Sequence, residues 1–280
     1  MNPCRPAYPA RVISFFHQSR LSCFDSRFVI GCCALLLVVP LKGQEDAPLI
    51  ASLDARLAEK TIYLNPDFLL FPVDAKKGTK VPAIIYLHGA GGVGNDIAKI
   101  KGQVKRVVSG IRKFRKGPCL VVAPQCLRDT PKGRGTWTPS DLNVFLEHLK
   151  ATLPLDERRI YLTGNSMGGY GCWVWGGHTP EHFAAIAPVV GGIGRGGPKA
   201  VTDNLEDWAV NLATVPVYAF AGEKDRVVPA ERSERMITAI RKAGGKHAKI
   251  KVFPEEGHGA SRIVFSTKEV YDWMFSQKRE

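Results

Sequence analysis

The ten residues from Tyr161 to Tyr170, YLTGNSMGGY, constrain this chain more than any other stretch. Arg159 to Thr163 is rich in β-branched and aromatic residues and reads as a buried strand. Met167 to Trp175 reads as a helix of small and aromatic residues. Between them lies Gly164-Asn165-Ser166-Met167-Gly168, a Gly-x-Ser-x-Gly turn that holds a serine in a sharp strand-to-helix bend with its hydroxyl exposed. Side chains at 164 or 168 would collide across so tight a bend. The pattern alone is weak, because small-residue loops produce it by chance. Its place between a strand and a helix makes Ser166 a candidate nucleophile.

The rest of the chain supplies a scaffold for that turn. With 280 residues it can bury one large α/β core, and it shows no internal repeat or low-complexity tract. Residues 1–43 read as an export leader whose apolar run is 28–41. That run suits a signal segment and is short for a membrane span. The expectation is an exported protein, periplasmic or secreted; an uncleaved membrane anchor and a mis-assigned start are the alternatives. Residues 44–60 read as a linker with a short helix, and 61–280 as the catalytic domain. Strands are expected over 61–73, 81–87, 119–123, 183–189, 215–221 and 247–253. Helices are expected over 95–115, 231–243 and 261–275, with a further one opened by Thr138-Pro139-Ser140-Asp141, where Thr138 caps and Asp141 stands three residues on. Strands alternating with helices call for a mostly parallel sheet covered on both faces.

The strand 81–87 runs into His88-Gly89-Ala90-Gly91-Gly92. No phosphate-binding fingerprint accompanies these glycines. A loop with so little side-chain bulk can instead turn a backbone N–H towards a reacting carbonyl oxygen. His88 reads as a residue that stabilises the loop and not as a base. A serine hydroxyl needs a base, and the base needs an anchor. Asp225, in Gly222-Glu223-Lys224-Asp225, follows a buried strand and is the candidate acid, with Glu223 as its alternative. His258, between Gly257 and Gly259, follows the last strand and is the candidate base.

The order Ser166, Asp225, His258, with His88-Gly89 upstream, resembles the α/β-hydrolase superfamily. The finer resemblance is to its esterase branch, which groups phospholipase/carboxylesterase-like, feruloyl-esterase-like and predicted-peptidase proteins, near dienelactone hydrolase. It is carried by YLHGAGG (86–92), APQC (123–126), RIYLTGNSMGGYG (159–171), FAAIAPVVGG (183–192), PVYAFAGEKDRVVP (216–229), EEGHG (255–259) and EVYDWM (269–274). The resemblance implies a sheet of about eight strands, no cofactor, and oxyanion donors from the backbone N–H groups of Ala90 and Met167. Two positions depart from the pattern: Asn165, where Leu or Phe is common in the family, and Ala221, where His is common. Both bear on substrate preference.

Esters of small acyl groups, acetyl or feruloyl, on exposed carriers such as polysaccharides fit a chain with no room for a large lid domain. Candidate substrate contacts are His88, Gly91, Asn165 and Trp137. Trp208 is a further possible platform, while Trp173 and Trp175 read as core. A serine peptidase of the same fold and a non-catalytic surface binding protein of that fold are the competing readings. The net charge of +13 invites a polyanion, but the basic residues are scattered except over 99–116. That stretch reads as a solvated helix face without a nucleic-acid motif. Cys119, Cys126 and Cys172 fit no zinc site and read as buried free thiols, and no metal is expected.

Overall fold

The computed structural model describes residues 47–280 apart from Lys77 and Lys116, so the expected leader lies outside the described residues. Eight strands form one sheet: β1 (Leu49–Ser52), β2 (Asp67–Val73), β3 (Val81–Leu87), β4 (Cys119–Ala123), β5 (Leu155–Asn165), β6 (Ala185–Val189), β7 (Val217–Gly222) and β8 (Ala248–Phe253). Their spatial order is β1-β2-β4-β3-β5-β6-β7-β8. β2 runs antiparallel to both of its neighbours, and every pairing from β4 onward is parallel. The helices are α1 (Ala55–Ala58), α2 (Lys101–Phe114), α3 (Pro139–Thr152), α4 (Met167–His178), α5 (Leu205–Leu212), α6 (Ala230–Lys242), α7 (Ser261–Val264) and α8 (Lys268–Ser276).

β3 shows why the sheet must be covered twice. All seven of its residues are buried; Ala83, Ile85 and Leu87 enter one core, Ile84 and Tyr86 the other. The first core packs under α3, α4, α5 and α6, through side chains such as Phe145, Trp173, Trp208 and Met236. The second packs under α2, α7 and α8, through Val104, Val107, Val264 and Tyr271. α4 is apolar all round, and among its residues Gly171, Gly176 and Gly177 meet the side chains of Trp137, Ile186 and Trp208 where a methyl group would overlap. Among the described residues no helix is long and apolar enough to cross a membrane.

Three expectations change. Residues 49–52 are not linker; they add an edge strand to β2, in register Leu49 to Leu70 through Ser52 to Asp67. Four residues with half their side chains outward give too short an alternation to stand out from a polar segment. The last helix is two, interrupted at Phe265–Thr267, where the Tyr271 hydroxyl donates to the Phe265 carbonyl at 2.8 Å. Asp141 does not act within its own helix terminus. It is 1% exposed, and its Oδ2 accepts from the N–H groups of Ile62 (3.0 Å) and Tyr63 (2.7 Å).

That carboxylate satisfies two amides of a segment that would otherwise leave them unpaired. Asp141→Ala should therefore lower unfolding free energy by about 1–3 kcal/mol, measured by urea titration. A midpoint equal to that of the parent protein would show that the 62–63 amides find water instead.

Candidate active site

The site lies at the carboxyl edge of the parallel strands, where open α/β sheets place their ligands. β5 delivers Ser166, the β7 end delivers Asp225, the β8 end delivers His258, and the β3 end delivers the loop 88–92. Ser166 has φ 57° and ψ −116°, a conformation non-glycine residues rarely adopt. The neighbouring glycines make the bend possible. A Cβ on Gly168 would stand 1.9 Å from the Leu87 carbonyl oxygen, and one on Gly164 would stand 2.6 Å from the same atom. The turn is then held by Ser166 N–H donating to Val189 O at 2.9 Å and Tyr170 N–H donating to Ser166 O at 3.0 Å.

Ser166, His258 and Asp225 meet in a single hydrogen-bonded line. His258 Nε2 lies 2.8 Å from Ser166 Oγ, and His258 Nδ1 lies 2.8 Å from Asp225 Oδ2. The carboxylate accepts from Nδ1–H, which leaves Nε2 free to accept the serine proton. Asp225 is fixed in turn: its Oδ1 accepts from the N–H groups of Val227 (2.8 Å) and Val228 (2.9 Å), and its side chain is fully buried. Glu223, the alternative acid, is exposed.

Two clefts open on Ser166. One, ≈ 400 Å³, is bounded by Ala90, Met167, Tyr170, Arg134, Arg195 and Val228, among others. The other, ≈ 380 Å³, is bounded by Gly91, Gln103, Arg106, Asn165 and His258, among others. Val227, 46% exposed, borders both. Ala90 opens a 3-10 turn and Met167 opens α4, so neither N–H has an acceptor within its own helix. The Asn165 carboxamide accepts from the buried Tyr86 hydroxyl.

The sequence placed His88 and Trp137 among the substrate contacts, and the structure corrects both. His88 is 0% exposed and Trp137 1%. Cys126 N–H donates to His88 Nε2 at 3.0 Å, so Nδ1 carries the proton and donates to Gly89 O at 2.7 Å. Trp137 lies against the His88 ring, covers Gly171, and donates from Nε1 to His88 O at 3.3 Å. Trp208 is buried as well, so it is no platform. Both corrected residues brace the 88–92 loop from below.

More braces escaped the sequence. Gln125 Nε2 donates to Gly92 O (2.9 Å), Gln103 Oε1 accepts from Gly89 N–H (2.9 Å), and Arg134 Nη2 donates to Ala90 O (3.1 Å). Their only signal is that Gln125 and Cys126 directly follow a buried strand at the same sheet edge. Among the described residues no cluster of three or more His, Cys, Asp or Glu could hold a metal ion. Cys119, Cys126 and Cys172 are free and buried, and burial raises the thiol of Cys119 to about 12.

A serine in a strained strand-to-helix turn, at the carboxyl edge of this eight-stranded sheet, defines an α/β-hydrolase. Residues 132–264 match the family model described as "Dienelactone hydrolase family". A protein of Salmonella typhimurium named "Putative carboxymethylenebutenolidase" is 34% identical over 106 residues, which are 37% of this chain and 37% of that protein. The match thus spans little more than a third of the curated relative. Among solved structures, a thermostable esterase is 27% identical with a TM-score of 0.67, covering 84% of this chain and 64% of its own. An acylaminoacyl peptidase shares the fold at 17% identity and a TM-score of 0.56, over 82% of this chain and 41% of its own.

Burial holds the His88 imidazolium form off until about pH 4, well below the usual histidine value. The unfolded chain takes up this proton near pH 6.5 and the folded chain only near 4. Stability conferred by neutral His88 is therefore complete above about 6.5 and falls as pH drops towards 4, by on the order of 3 kcal/mol. Urea midpoints between pH 4 and 7 should show this slope, and His88→Gln should flatten it. An unchanged slope in the variant would assign the acid sensitivity to other groups.

Proposed function

We propose that this protein is a serine hydrolase of carboxylic esters that works through an acyl-enzyme. The observation that carries the reading is the line Ser166 Oγ–His258–Asp225, with 2.8 Å at each step, beside two helix-opening amides on the same cleft. In this mechanism His258 Nε2 takes the Ser166 proton as Oγ attacks the ester carbonyl carbon. The N–H groups of Ala90 and Met167 hold the oxygen that becomes negative. Asp225 keeps the imidazole in the tautomer that can accept at Nε2 and stabilises the imidazolium. The proton then passes to the leaving alcohol, which departs and leaves the acyl group on Oγ. Water, giving a proton to His258, attacks that acyl carbon and releases the acid.

The clefts are open and lie at the surface, which suits small acyl groups on bulky carriers, of the acetyl or feruloyl type. Met167, Tyr170, Val227 and Val228 give the cleft on the Arg134 side an apolar floor for the acyl chain. Export to the periplasm or beyond, expected from residues 1–43, would bring the enzyme to such carriers.

Turnover of p-nitrophenyl esters from acetate to laurate, and of methyl ferulate, tests the reading. Ser166→Ala should lower kcat by about 10⁴-fold or more, and Asp225→Asn by about 10⁴-fold. Parent and Ser166→Ala proteins with equal rates on every ester would overturn it. Cleavage of peptide amides faster than any ester would favour a peptidase on the same residues.

A further inference from the structure

The basic stretch on α2, which in sequence reads as a solvated helix face, joins the active site. A groove of ≈ 360 Å³ runs along this helix, bordered by Lys105, Arg106, Ser109, Lys113, Phe114 and Ser266, among others. Arg106 also borders the cleft that holds Ser166 and His258. One exposed guanidinium is therefore shared between the catalytic cleft and the helix groove. Lys105 and Lys113, also exposed, extend the cationic lining along the helix. On the other side of Ser166, Arg134 and Arg195 border the second cleft. None of the residues bordering these three clefts is a carboxylate. A run of one sign, continuous with a nucleophile, raises the local concentration of anionic substrate and orients it.

We propose that the ester cleaved here is carried on an acidic polysaccharide, a chain of uronate sugars lying along α2. This rests on the ester-hydrolase reading above. One acylated sugar enters at Ser166, and carboxylates of neighbouring sugars lie on Arg106, Lys105 and Lys113. The Ser109 and Ser266 hydroxyls can hydrogen-bond sugar hydroxyls along the same path. The chemistry is unchanged: the sugar oxygen leaves with the proton from His258, and water releases the acyl group as its acid. A uronate chain fits better than a nucleic acid. It presents carboxylates together with hydroxyls that bear acyl esters, the group that the Ser166 cleft acts on in the reading above.

The test has an activity arm and a binding arm. Acetylated polygalacturonate, acetylated neutral xylan, O-acetyl galacturonic acid monosaccharide and p-nitrophenyl acetate are compared in kcat/KM. The proteins are the parent, Lys105→Glu/Lys113→Glu, and Lys242→Glu/Lys246→Glu. The last pair makes the same charge change at exposed positions before the start of β8, the opposite sheet edge from Ser166. Relative to p-nitrophenyl acetate, the parent's rate on the uronate polymer should fall about tenfold in the α2 variant and little in the control pair. Salt at about 0.3 M should reduce the parent's preference in the same way, by screening these exposed charges. The xylan rate should respond to neither.

Binding of unesterified polygalacturonate to the Ser166→Ala protein, with and without each lysine pair, decides the groove even if no ester is cleaved. Equal weakening by both pairs would reduce the effect to general attraction by a basic protein and overturn the proposal. So would equal gains on the monosaccharide and the polymer, which would make the anion site a small-ligand one. An oligonucleotide that depends on Lys105 and Lys113 while polygalacturonate does not would overturn it in favour of nucleic acid. Loss of esterase activity with retained, α2-dependent polyuronate binding would sink the catalytic reading and leave the groove standing.

Discussion

The approach of α4 to the end of β3 is the contact on which the site depends. Gly168 brings its backbone so close to Leu87 that a methyl group there would lie 1.9 Å from the carbonyl oxygen. Leu87 pairs in register with Gly164, so strand, strand and helix converge within one turn of chain. Two consequences follow from the one contact. Ser166 is forced to φ 57°, at a cost of about 1–3 kcal/mol, which the burial of α4 between sheet and outer helices offsets. Residues 88–92, which continue β3, are delivered beside the serine. Val190, at φ 46°, makes the matching sharp exit from β6, and Gly191 beyond it packs on Gly169.

A glycine loop has little intrinsic stiffness, yet an amide donor is useful only if it stays aimed. Here the stiffness is borrowed from the segment after β4. Gln125, Cys126, Arg134 and Trp137 each hydrogen-bond a backbone or ring atom of residues 88–92. His88 is central because it works in both directions, accepting from Cys126 and donating to Gly89, which only the neutral ring can do. Its burial keeps it in that state. Asn165, in the nucleophile turn, accepts from the Tyr86 hydroxyl on the strand that leads into this loop.

Those features that one element sets by itself were legible in the sequence. The bounds of β3 and β4 can be read from continuous apolar runs, and the serine turn from its glycines between a strand and a helix. The order of Ser166, Asp225 and His258, each just after a strand expected in the parallel sheet, places all three at one sheet edge before any coordinate is known. What could not be read depends on where a side chain points in three dimensions. Trp137 follows a glycine in a loop and has the look of an exposed ring, yet the space over Gly171 draws it inward. Asp141 fits a helix-terminus pattern, but two amides nearly eighty residues upstream claim its carboxylate. The edge strand β1 takes its identity from β2 and not from its own short alternation.

The same separation explains how selection can be built on this scaffold without disturbing its chemistry. Ser166, Asp225 and His258 come from strand ends whose register the two cores set. Asp225 in particular is buried and held by two amides. The cations that border the clefts come from elsewhere: α2, the loop around Arg134 and the segment around Arg195. All five are exposed, so they remain hydrated and need no buried partner. Each can therefore act on an incoming anion at long range while leaving the geometry at Ser166 to the sheet. Arg134 is the one that does both, since its guanidinium also holds the Ala90 carbonyl. An anion placed on it would bear on the same loop that presents the Ala90 amide, which makes this residue the physical link between recognition at the rim and the donor at the centre.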